Sequence, residues 1–146
     1  MPAQAAKAPV AINFERAYPG TADQLGQVRA DLTEIAGQCP VIDGLVLLAS
    51  ELAANAVLHS NSGRTGHGFT VRATLHPGDY AWVEVVDEGG AWKRNQRDDE
   101  HGRGLAVVAG IAGDGNWGIE GNSSCRVAWF RLDWPRPGNV PCVGLV

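Results

Sequence analysis

The cysteines of this chain are few and unpaired: Cys39, Cys125 and Cys142 are odd in number, widely spaced and in no C-x-x-C arrangement. That usage excludes a disulfide framework and a zinc finger, and it suits a reducing cytosol. A basic surplus is also missing, since 12 Lys and Arg stand against 16 Asp and Glu for a formal net charge of −4. Electrostatic attachment to nucleic acid or to anionic lipid needs the opposite balance. The opening residues MPAQAAKAPV contain no apolar h-region, and no window approaches the ~18 apolar residues of a membrane span. The ending CVGLV has its cysteine fifth from the end and is not a prenylation box. The expectation is a cytoplasmic protein with no membrane and no direct nucleic-acid partner.

Several chemical signatures are absent as well. The P-loop pattern G-x-x-x-x-G-K-[ST] occurs nowhere, and G-x-G-x-x-G fails because Val107 takes the last glycine position. No G-x-S-x-G elbow supports a hydrolase built on Ser50 or Ser60. His59, His67, His76 and His101 have spacings that fit no zinc helix pair or finger.

What is present is one domain's worth of alternating patterns. At 146 residues the chain fits a single domain, expected over residues 10–134, with tails at 1–9 and 135–146. Val10 to Tyr18 alternates as a strand and is closed by Pro19-Gly20. Thr21-Ala22-Asp23-Gln24 has capping-box spacing, and Leu25, Val28, Leu32, Ile35 and Ala36 predict a helix over about 21–37. A second helix runs from Ile42 to His59 on the stripe Leu45, Leu48, Ala49, Leu52 and Ala56. Phe69 to Leu75 and Tyr80 to Val86 form a hairpin around Pro77-Gly78-Asp79. Leu105 to Ile111 reads as helical and Arg126 to Leu132 as a last strand. Because a tight turn joins the central strands, a parallel βαβ array is excluded. The fold class is therefore α+β, a two-layer α/β sandwich whose mixed, mostly antiparallel sheet carries one helical layer.

Three stretches carry chemistry. In SELAANAVLHS, Glu51 and Asn55 stand at i and i+4, so their Cβ atoms lie about 5–6 Å apart on one helix face. A carboxylate there suits a general base, and a neutral amide oxygen suits a hard cation such as Mg²⁺. In VVDEGG, Asp87 ends a strand and Gly89 follows, so a carboxylate can accept from an exocyclic amine while the backbone admits a flat ring. In HGRGLAVV, Gly102 and Gly104 open a helix around Arg103, leaving N–H groups and the positive dipole end for phosphate. Each stretch alone has a plain structural reading: a solvated helix face, an acidic turn, a helix start.

Their order is more specific than any one of them. E-x-x-x-N on a helix, a hairpin, D-x-G at a strand end, a polar loop, and G-x-G-L before a helix and a strand resemble the histidine-kinase-like (GHKL, Bergerat-fold) ATPase superfamily, from about Phe14 to Leu132. The resemblance implies ATP and Mg²⁺ as ligands. It implies that Glu51 is the catalytic base and Asn55 the Mg²⁺ ligand. Asp87 and Gly89 would hold the adenine, the backbone at Gly102, Arg103, Gly104 and Leu105 would meet the phosphates, and residues 90–101 would form the lid, with Trp92 as a fluorescence reporter in it.

The small size and the boxes look most like bacterial anti-sigma-factor serine/threonine kinases and their actinobacterial relatives. By that resemblance the protein is a homodimer that phosphorylates an anti-anti-sigma (STAS-type) partner and holds a sigma factor. A non-catalytic nucleotide-binding or protein-sequestering module is the alternative. Relatives commonly have a threonine near the adenine where Val127 aligns here, with Ser123 and Ser124 just before it, and a third glycine where Ala106 stands.

Overall fold

Strand β1 (Ile12–Pro19) lies at one edge of an antiparallel sheet and pairs with β2 (Gly68–His76), from Ile12 opposite Leu75 to Pro19 opposite Gly68. The computed structural model describes residues 10–90 and 106–135. The expected tail at 1–9, the lid from 91 to 101 with Trp92, the glycine box Gly102 to Leu105 and all but the first residue of the expected C-terminal tail lie outside that range. Strand β3 (Tyr80–Asp87) returns beside β2, and β4 (Trp117–Gly121) and β5 (Arg126–Asp133) complete the order β1-β2-β3-β5-β4. All four pairings are antiparallel. Helices α1 (Gln24–Ala36) and α2 (Ile42–His59), with a shorter helix α3 over 106–112, accompany the sheet. This is the expected α+β sandwich.

Alternation decides which strand residues meet the helices. Phe69, Val71, Ala73 and Leu75 of β2, Ala81, Val83 and Val85 of β3, and Ala128, Phe130 and Leu132 of β5 are buried, two residues apart in each strand. They face Leu45, Leu48, Ala49, Leu52, Ala53 and Ala56 of α2 and Val28 and Leu32 of α1 in one core. The opposite sheet face is half-exposed. There Trp82 and Trp129 stack with centroids 4.5 Å apart, and Arg72 lies between Glu15 at 3.2 Å and Glu84 at 3.7 Å.

Three expectations change. The capping box at Thr21 does not form: the Thr21 hydroxyl bonds the Asp23 carboxylate, and α1 starts at Gln24 with no side-chain cap. Strand β4 has no counterpart in the sequence reading, because WGIEG is short and interrupted by Gly118, over which the Trp129 indole packs closer than a Cβ would allow. Helix α2 meets the length and mean-hydropathy test for a membrane span, at 18 residues and 1.3, against the expectation that no window does. Its apolar stripe is spent in the core, and Asp43, Ser50, Glu51, Asn55 and His59 interrupt the rest.

Asp31 ties α1 to β1. Its carboxylate accepts from Tyr18 Oη at 2.6 Å, Gln27 Nε2 at 2.8 Å and Arg16 Nη1 at 2.6 Å. Burial pushes this carboxyl up, but the three donors outweigh burial and hold it below its ordinary 3.8. A depressed carboxyl contributes stability above its unfolded pKa and loses it as pH falls through the folded one. Asp31→Asn is therefore expected to cost about 1 kcal/mol at pH 7, with the deficit shrinking below pH 3.8 in paired thermal melts.

Candidate functional site

The C-terminal end of α2 and the C-terminal end of β3 are stitched together by short-range backbone chemistry. Ser60 follows the helix, donates to the Ala56 carbonyl at 2.7 Å and accepts from Ser62 N at 3.0 Å. That turn, Asn61–Gly63, presents Asn61 N to the Gly89 carbonyl at 2.8 Å and Ser62 Oγ to Glu88 N at 2.9 Å. Ser62 is fully buried. A helix and a strand that are distant in sequence thus share one corner.

Glu51 and Asn55 lie on α2, one turn apart and half-buried, so they are not on a freely solvated face. The Asn55 amide nitrogen is buried and has no hydrogen-bond partner among the described residues. A buried amide nitrogen with no partner is costly, and Asn55 Nδ2 is the one such side-chain atom found among the described residues.

Asp87 is the last residue of β3, on the same face as Val83 and Val85 and buried with them. Its Oδ1 accepts from Gly89 N at 2.7 Å. Gly89 has φ +70° and Gly90 φ +105°, conformations that favour glycine. A Cβ on Gly89 would fall 2.3 Å from the Ser123 carbonyl oxygen, and Gly90 N donates to that same oxygen at 2.7 Å. The close approach expected of a flat ring at Gly89 is here made by the β4–β5 turn.

Glu88, beside them, is occupied elsewhere. Its carboxylate accepts from Gly68 N at 3.0 Å and meets His67 Nδ1 at 2.7 Å, and these two contacts lower its pKa.

Arg126 stands at this corner as well, and the sequence reading did not single it out. The β3–β5 register sets it directly opposite Asp87, whereas Val127 pairs with Val86 on the other sheet face. A single step along a strand reverses the side-chain direction. Arg126 Nε lies 3.4 Å from Asp87 Oδ1, and Nη2 donates to the carbonyls of Gly89 at 3.2 Å and His59 at 3.4 Å. Both side chains are nearly closed off, at 8% and 10% exposure. Burial pushes the Asp87 carboxyl up, the Gly89 N–H and the Arg126 guanidinium pull it back, and burial prevails. The guanidinium also meets the negative end of α2 through the His59 carbonyl. Ser124, in the exposed β4–β5 turn, has its N–H held by Asn122 Oδ1 at 2.8 Å.

Residues 18–125 match the family model of the histidine kinase-like ATPase domain. The chain belongs to that family. Among curated proteins none matches at a significant level. A solved structure of the RsbU and RsbW domains of Rv1364c from Mycobacterium tuberculosis is similar at 21% identity and a TM-score of 0.65, over 86% of this chain. The present chain spans about a third of that one, 34% of its length. This likeness shows the α+β sandwich fold.

Membership in a histidine kinase-like ATPase family implies ATP as the ligand. Asn55 on α2 would hold Mg²⁺ through its amide oxygen; the unpaired atom, its buried amide nitrogen, is a donor and does not bear on the metal. Mg²⁺ is ordinarily held by one or two protein oxygens together with substrate phosphates, which asks for no protein cage.

Proposed function

We propose that this histidine kinase-like domain binds ATP with Mg²⁺ and transfers its γ-phosphate to a serine or threonine of an anti-anti-sigma (STAS-type) partner. It does so as a cytoplasmic homodimer that also sequesters a sigma factor. The observation that carries the reading is the corner where α2, bearing Glu51 and Asn55, is stitched to the Asp87–Gly89 strand end. The RsbW domain in the similar structure supports the choice within the family. The domain spans residues 10–134.

Each residue has a distinct task. Asp87 accepts from the exocyclic amine of the base. Asn55 offers its amide oxygen to Mg²⁺, which supplies neutralisation of phosphate charge. Glu51 orients the incoming hydroxyl and takes its proton. Gly102, Arg103, Gly104 and Leu105 hold phosphate through backbone N–H groups.

Titration with ATP in the presence and absence of Mg²⁺ tests the reading. Wild type is expected to bind more tightly with Mg²⁺, and Asn55→Ala to lose most of that difference while keeping its metal-free affinity. Equal Mg²⁺ dependence in both proteins would sink the assignment.

A second reading, a non-catalytic nucleotide-binding or protein-sequestering module, is favoured by one observation, the Arg126 guanidinium on Asp87. Intact mass after incubation with ATP and a candidate partner separates the two readings, because only the kinase adds a phosphate.

A further inference from the structure

We infer that Arg126 sets the affinity of the base site by occupying Asp87, so that a purine nucleotide is bound only in competition with the protein's own guanidinium. The inference rests on the reading of Asp87 as the base-recognising carboxylate and adds a residue to it. Three observations carry it. The register makes Arg126 and Asp87 direct cross-strand partners on the buried face. Among the described residues the guanidinium reaches three acceptors, Asp87 Oδ1 at 3.4 Å, the Gly89 carbonyl at 3.2 Å and the His59 carbonyl at 3.4 Å. Both side chains are about nine-tenths enclosed, so little water screens the contact.

The chemistry then favours the internal partner. An exocyclic amine offers a neutral N–H to the carboxylate, whereas the guanidinium brings a full positive charge to 3.4 Å from it in an enclosed site. A base that reaches Asp87 must break the ion pair and separate Arg126 from the two carbonyls that also hold it. A short hydroxyl at the same register position would leave Asp87 free to accept from the base. Nucleotide binding by this chain is therefore weakened by position 126 while the carboxylate itself is intact.

The test is the Kd for ATP, by calorimetry on the full chain, of wild type, Arg126→Thr, Asp87→Asn and the double variant. Arg126→Thr is expected to bind ATP at least about tenfold more tightly, the equivalent of about 1.4 kcal/mol, and the gain should vanish when Asp87→Asn is added. Tripolyphosphate, which has phosphates and no base, should gain nothing. Unchanged or weaker ATP binding by folded Arg126→Thr overturns the inference, and so does an equal gain for tripolyphosphate. If Asp87→Asn leaves ATP binding unaltered in both backgrounds, the base-carboxylate reading itself has failed. Should Arg126→Thr show no cooperative thermal transition, Arg126→Lys serves instead, because one ammonium cannot span the three acceptors; a Kd no tighter than wild type then counts against the inference.

Discussion

Glu51→Gln is expected to lower phosphate transfer to a partner serine by about 10²–10⁴-fold, the range that a positioned general base contributes. ATP affinity should change little. The glutamine keeps the shape of the side chain on α2 and removes only its capacity to take a proton. Asp87→Asn should do the reverse, weakening ATP binding more than it slows transfer at saturating ATP, because on the proposed reading its carboxylate meets the base and not the transferred group. Single-turnover transfer to a cognate partner, read beside labelled-nucleotide binding, separates the two effects. Equal losses from both variants in both assays would refute the division of roles. The half-buried position of Glu51 matters here, since a fully solvated carboxylate would spend its lone pairs on water.

Phe130→Ala should be the most damaging core substitution, at about 3–5 kcal/mol. Phe130 is the largest fully buried side chain among the described residues and lies in β5, between β3 on one side and β4 on the other. The cavity it would leave borders both Val83, its partner in β3, and Trp117, its partner in β4, so neighbouring strands would have to collapse together to refill it. A chain of this length shifts its Tm by roughly 2–4 °C per kcal/mol, which puts the expected loss near 10 °C. Differential scanning calorimetry at pH 7 measures it, and a shift below about 3 °C would show that β5 is packed less tightly than its burial implies. Because β5 also carries Arg126, this variant is expected to alter nucleotide binding as well, through the position of the guanidinium opposite Asp87.

The features that local periodicity controls were legible in the sequence. Helix α2 was expected from Ile42 to His59 and has those bounds, because eighteen residues with apolar groups every three or four positions admit one helical face. The hairpin of β2 and β3 follows from Pro77-Gly78-Asp79 between alternating runs, and the same alternation ends a strand at Asp87. Spacing alone put Glu51 and Asn55 on one helix face, since four residues make about one turn. Other features depended on contacts that no local pattern contains. Thr21 had the spacing of a cap, but its hydroxyl found Asp23 first. Strand β4 exists because β5 offers it an edge, and WGIEG has too few residues to announce itself.

The parity needed to find Arg126 was in the sequence. Ala128, Phe130 and Leu132 form the apolar side of the last strand, and two steps back along that side is Arg126 rather than Val127. What the sequence did not contain was the partner. Asp87 and Arg126 are 39 residues apart, and only the pairing of β3 with β5 sets one opposite the other. A slip of a single residue would have turned Arg126 to the outer face and left the carboxylate without its guanidinium. The sequence by itself determined the elements, the order of the boxes and the residue types available for chemistry, because these follow from short-range sterics and hydrophobic spacing. The tertiary structure alone decided that Asp87 is held by Arg126, because strand register is settled by packing across the whole sheet.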